Sequence, residues 1–227
     1  MNPLIIATLI LAMFFSSVVF AEGDLEKDRL SGFAEHQKKY KGFYVDVGAH
    51  HPIRFSNTNH FYRKGWRGIN IDSTPGSMRA FNWLRRRDIN LEIGIGSASG
   101  SLNLYCFNEP ALNTFDENLA KERSTERYFV KRTVEVRVEP LGKILEKYLP
   151  ADHNIDFLTI DVEGLDLVVL QSNDWARYKP SYILVEDMDF NLNRYEESPI
   201  YNFLSNQGYK IVAILKRTII YESSDQK

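Results

Sequence analysis

The stretch that most constrains this chain is Gly42-Phe43-Tyr44-Val45-Asp46-Val47-Gly48-Ala49-His50. Apolar and aromatic residues around one aspartate, followed at once by glycine, form the pattern of a buried parallel strand running out into a tight turn. In an open α/β sheet such an end borders a ligand site. The carboxylate accepts hydrogen bonds, and Gly48 and Ala49 are small enough for a ligand to lie against the backbone.

The same logic returns along the chain. His50-His51-Pro52 breaks the backbone, and Ser56 caps a short helix that Gly65 ends, its amino end aimed at the ligand. Trp66 to Ile71 then alternates into a second strand ending at Asp72, and Ser73-Thr74-Pro75 starts a helix through about Arg85. The separation 72 − 46 = 26 is one βα unit, which makes Asp72 the natural acceptor for a ribose diol. Ile155 to Gly164 repeats the opening pattern, with Asp161 at the strand's end and Glu163 and Gly164 leading into a helix through Leu170. Ser181 to Glu186 is a further buried strand ending in an acid, and Tyr209 to Tyr221 closes the chain as two strands about Lys216-Arg217. Repeated β-α units finishing in a hairpin predict an open, mostly parallel sheet with one reversed strand. Asp46, Asp72, Asp161 and Glu186 would gather at its carboxyl edge.

Three stretches carry competing readings. Ile89 to Ile95 reads as one strand, and the glycine-rich Gly94 to Gly100 after it looks at first like a phosphate loop. A phosphate loop must open into a helix, whereas Ser101 to Phe107 alternates like a strand, so a hairpin turn is expected. Asn108 to Arg132 is a long insertion that is either a lid over the site or a solvated excursion. Arg85-Arg86-Arg87 is explained by cations stabilising a helix's carboxyl end rather than by an anion site.

Composition narrows the function. With 28 basic and 30 acidic residues, a net charge of −2 gives no general field for nucleic acid. A length of 227 residues, 44% hydrophobic, fills one sizeable core. Cys106 is the single cysteine, which excludes an intramolecular disulfide and a cysteine-based zinc cluster. His50, His51, His60, Asp161 and Glu163 lack the helix-face spacing of a zinc motif, so no metal is expected. Leu4 to Phe20 is almost wholly apolar and ends at Val19-Phe20-Ala21, the form of a cleaved signal peptide. It is also just long enough to remain as a membrane anchor. Export or anchoring follows, with residues 1–21 as signal or anchor, 22–41 as a linker or short helix, 42–222 as the domain and 223–227 as a tail.

Phe43 to His50, then Gly68-Ile69-Asn70-Ile71-Asp72, then Thr159-Ile160-Asp161-Val162-Glu163-Gly164, resemble the FkbM-type S-adenosylmethionine-dependent methyltransferases over roughly Gly42 to Glu222. The resemblance implies a Rossmann-like, seven-stranded sheet and S-adenosyl-L-methionine as cofactor. Asp46, Gly48 and Ala49 would line its methionine side and Asp72 would take its ribose, with His50 and Ser73 also among the cofactor-binding residues. Here His50-His51-Pro52 stands where the family has Asn-x-Gly after the alanine. A base must then remove the acceptor's hydroxyl proton, and Asp161, Glu163, His50 and His51 are the residues within reach. The acceptor class implied is a hydroxyl of a sugar, glycan or related metabolite. The alternative is a non-catalytic binding module on the same fold, working through a partner.

Overall fold

The computed structural model describes residues 40–215 and 217–225. The expected signal or anchor, and all but the end of the linker, lie outside the described residues. Three parallel strands open the main sheet: β1 (Phe43–Val47), β2 (Arg67–Asp72) and β3 (Ile89–Glu92). A small second sheet follows, built from β4 (Gly94–Ile95), β5 (Gly100–Phe107) and β6 (Val130–Glu139) in the order β4-β6-β5. The chain then returns as β7 (Phe157–Ile160), β8 (Tyr182–Glu186), β9 (Tyr209–Leu215) and β10 (Thr218–Ser223). The seven strands of the main sheet lie in the order β3-β2-β1-β7-β8-β10-β9, with β10 antiparallel to both its neighbours. This is the mostly parallel α/β sheet with one reversed strand that the β-α pattern predicts.

Both faces of this sheet are covered, so its strands read as continuous apolar runs. On one face Val45, Val47, Ile69, Leu158 and Val185 pack under helices α4 (Leu141–Tyr148), α5 (Asp166–Gln171) and α6 (Pro199–Asn206). On the other, Tyr44, Phe157, Tyr182 and Leu184 meet Phe61 of helix α1 (Asn59–Arg63) and Trp66. Phe61 sits 4.6 Å from Phe157 and 4.7 Å from Trp66, ring centre to ring centre. Each such ring, fully buried, contributes about 1.5–3 kcal/mol. Helix α2 (Met78–Leu84) follows β2, and α3 (Glu117–Arg123) lies within the insertion, capped by the Asp116 carboxylate on the Asn118 and Leu119 amides. Among the described residues no helix is long and apolar enough to cross a membrane.

Two local expectations are corrected. The strand expected over Ile89 to Ile95 breaks at Ile93, and the chain passes from the main sheet into the small one. A Cβ at Gly94 would lie 2.8 Å from the side chains of Phe115 and Val138, so only glycine passes there without displacing them. The expected hairpin is also absent. Gly96 to Ser99 turns the chain and leads into a strand, as the alternation required, but β4 and β5 flank β6 instead of pairing with each other. Alternation identifies a strand and leaves its partner open.

Candidate functional site

A cavity of about 240 Å³ opens at the carboxyl ends of β1, β2 and β7. Asp46, Gly48, Ala49, His50, Asp72, Ser73, Asp161 and Glu163 all line it, so the structure brings these eight together. Ile71, Ile93, Ile95, Leu104 and Phe115 supply an apolar wall.

Asp46 is buried within β1, and its Oδ2 accepts a hydrogen bond from Thr58 Oγ1 at 2.8 Å. Burial raises its carboxyl to about 6, against the lowering influence of Thr58 and Arg85. Gly48 has φ 84°, and a Cβ there would sit 1.8 Å from the Asp161 carbonyl oxygen. Glycine is therefore required because a neighbouring strand's backbone lies against it, not only to admit a ligand. The Gly48 and Ala49 amides both donate to the Ile71 carbonyl, at 2.9 and 3.0 Å, and the Ala49 methyl packs with Met78 and Phe81 of α2.

Asp72 ties two turns together. Its Oδ2 accepts from the His50 amide and its Oδ1 from the Thr74 amide, both at 2.8 Å. Each oxygen keeps a lone pair for a hydroxyl in the cavity. His50 itself has φ 52°, and burial lowers its imidazole pKa against the pull of Asp72, which leaves the ring neutral at neutral pH. His51 is spent elsewhere: its Nδ1 accepts from the Ile53 and Arg54 amides and closes the turn. It does not line the cavity, which removes it from the possible bases.

Asp161 follows β7 and lines the cavity while remaining open to solvent. Desolvation of its carboxyl between the cavity walls pushes it up to about 8, and Glu186, Glu163, Asp166 and Asp46 add repulsion. The exposure of Asp161 to solvent tempers this desolvation without changing its direction. Helix capping falls to Asp166, whose carboxylate accepts from the Val162 and Gly164 amides at 3.2 Å each. Glu163 is held from two sides in a left-handed conformation, φ 53°. Its Oε2 pairs with Arg123 at 2.5 Å, and its carbonyl accepts from Thr114 Oγ1 at 2.7 Å.

Those two partners belong to the insertion, which the sequence left open between lid and excursion. Pro110, Ala111, Asn113 and Phe115 line the cavity, Asn113 Nδ2 donates to Thr74 Oγ1 at 3.0 Å, and Arg54 pairs with Glu109 at 3.5 Å. The insertion is thus a bonded wall of the site. Oxygen atoms of Asp161, Glu163 and Glu186 all lie within 4.8 Å of one another, a set able to hold a cation that contains none of the histidines weighed from the sequence.

Arg85 is the residue that sequence reasoning misplaced. It is 1% exposed, donates from Nε and Nη2 to the Pro52 carbonyl at 3.0 and 2.7 Å, and reaches Tyr44 Oη, Ser56 Oγ and Asp88. It braces the loop from His50 to Thr58 from beneath, while Arg86, with its Nε on the Trp83 carbonyl, does stabilise the carboxyl end of α2. The signal available was the run of polar residues from Ser56 to Asn59, which needs a buried donor once the loop folds inward.

A family model described as the methyltransferase FkbM domain matches residues 46–211, from the aspartate of β1 through the start of β9. A search of curated proteins found no match to the chain.

Proposed function

This chain belongs to the FkbM methyltransferase domain family, and we propose that it is an S-adenosyl-L-methionine-dependent O-methyltransferase acting on a hydroxyl of a sugar, glycan or related metabolite. The observation that carries the cofactor reading is the charge of the cavity. Asp46, Asp72, Asp161 and Glu163 border it and no lysine or arginine among the described residues lines it. Such a pocket complements a sulfonium and an ammonium and repels a pyrophosphate. The apolar wall from Ile71 to Phe115 suits a flat, weakly polar base.

When bound, the cofactor supplies a methyl group on a cationic sulfur. The chain's own residues supply position and a proton acceptor. Asp72 offers its free lone pairs to a hydroxyl pair while its bonds to His50 and Thr74 fix its orientation. Asp161 takes the acceptor's hydroxyl proton at a carboxylate oxygen. A carboxyl raised to about 8 is a far better base for that step than an ordinary aspartate, since it holds the proton it removes. Glu163 is engaged by Arg123 and shapes the turn beside it. The insertion and the His50 to Thr58 loop wall the cavity on two sides and leave it open to solvent at Asp161.

Calorimetric titration with S-adenosylhomocysteine tests the reading. The wild type is expected to bind, and Ala111→Trp, which fills the cavity from its wall, to bind at least about tenfold more weakly with its fold intact by circular dichroism. No heat with the wild type would sink the cofactor assignment and favour a non-catalytic binding module. Labelled-methyl transfer across a panel of sugars and glycans then tests the acceptor class.

A further inference from the structure

The amino edge of the sheet, opposite the cavity, has the reverse chemistry. Lys41 precedes β1, Arg63 and Lys64 end α1, Arg67 begins β2, and Arg86 and Arg87 precede β3; all six are exposed. They are neighbours in space. Lys41 Nζ donates to the Lys64 carbonyl at 2.5 Å, and Arg67 Nε to the Arg87 carbonyl at 3.0 Å. Arg87 Nη2 donates to the Tyr62 carbonyl at 2.7 Å, and its guanidinium lies 3.9 Å from the centre of the Tyr62 ring.

Carbonyls hold the Lys41, Arg67, Arg86 and Arg87 side chains in place without neutralising them, and none of the six is in an ion pair among the described residues. Nearby acids are turned away or already engaged. The Asp88 carboxylate faces inward onto the Gly68 amide, Asn70 and Tyr44, and Asp152 pairs with His153, the main cause of its lowered carboxyl, with Arg67 a lesser one. From His50 to Arg87 the sequence holds eight lysines and arginines and one acid, the buried Asp72. A near-neutral total therefore conceals a strongly basic end.

Two further observations select the partner. Trp83, 68% exposed, lies three residues before Arg86, whose Nε bonds its carbonyl, and tryptophan is the residue that settles at a bilayer's headgroup level. The chain also enters the fold at this edge, through Tyr40 and Lys41, directly after the stretch that contains the apolar run Leu4 to Phe20. We propose that the basic amino edge of β1, β2 and β3 docks on an anionic phospholipid surface. Guanidinium and ammonium groups take the headgroup phosphates. The cavity, at the other end of the strands, then faces away from the bilayer and receives its acceptor from the aqueous side.

Sedimentation of the full-length chain with vesicles tests this, using phosphatidylcholine alone and phosphatidylcholine mixed with phosphatidylglycerol. The wild type is expected to prefer the anionic vesicles by about tenfold or more and to lose that preference in about 0.5 M salt. Lys64→Gln/Arg67→Gln/Arg86→Gln/Arg87→Gln is expected to bind both vesicles alike, keeping whatever affinity the apolar run gives for the neutral ones. Lys64→Arg/Arg67→Lys/Arg86→Lys/Arg87→Lys, which keeps the charge, should keep the preference and so separates charge from packing around Tyr62. Equal wild-type binding to both vesicles overturns the proposal. So does tighter binding to single-stranded RNA than to anionic vesicles at the same salt, which would reassign the patch to nucleic acid.

Discussion

As the proposed base, Asp161 would be both a poor resident of its site and a good proton acceptor. Its folded value of about 8 lies above its ordinary 3.8, so between these values the folded chain keeps a proton that the unfolded chain has released. Stability tied to that proton is present at low pH and is lost as pH rises through the window. Asp161→Asn is therefore expected to melt higher than the wild type at pH 8 to 9, while matching it near pH 4, in paired thermal melts. Because Asp161 is open to solvent, its charge is partly screened, which keeps the gain modest. Wild-type kcat/KM should climb with pH towards about 8, and the variant should lose that limb together with most of its turnover. Gly48 is constrained more simply. With the Asp161 carbonyl 1.8 Å from where a Cβ would stand, Gly48→Ala must push β1 and β7 apart, at a cost of about 3 kcal/mol or more by urea denaturation.

The insertion reaches the Asp161 to Gly164 turn through Arg123 and Thr114. Arg123→Ala would leave the Glu163 carboxylate uncompensated beside Asp161, which Glu163 already pushes upward. The rising limb of the pH–rate profile is then expected to move to higher pH, with KM for the acceptor changed less than kcat. This coupling marks where the sequence stops being informative. The ends of β1, β2 and β7 were legible because an apolar run, a terminal acid and a small residue are all local, and Asp46, Asp72 and Asp161 were found that way. The wall of the site was not, because Asn113 meets Thr74 and Thr114 meets Glu163 across 39 and 49 positions of sequence. Arg85 was misread for a related reason. Three consecutive arginines look alike on paper, and only the fold turns the first inward onto Pro52 while the other two face solvent.

Across the whole molecule, the sheet is a septum between two apolar layers. The aromatic layer of Tyr44, Phe61, Trp66 and Phe157 is the one that leaves no slack, since all four rings are at most 2% exposed. Phe157→Ala is expected to cost about 3–5 kcal/mol in chemical denaturation, because rings this closely interlocked collapse poorly around a void. Acids crowd one rim of this septum and unpaired cations the other. The two rims thus suit opposite kinds of partner, and a vesicle bound at one leaves the other unobstructed. Asp72 carries the last consequence. The same two oxygen atoms that would grip a visitor also stitch the His50 and Thr74 turns shut. Occupancy and loop order are therefore one equilibrium seen from two ends, and neither can be tuned by changing this side chain without retuning the other.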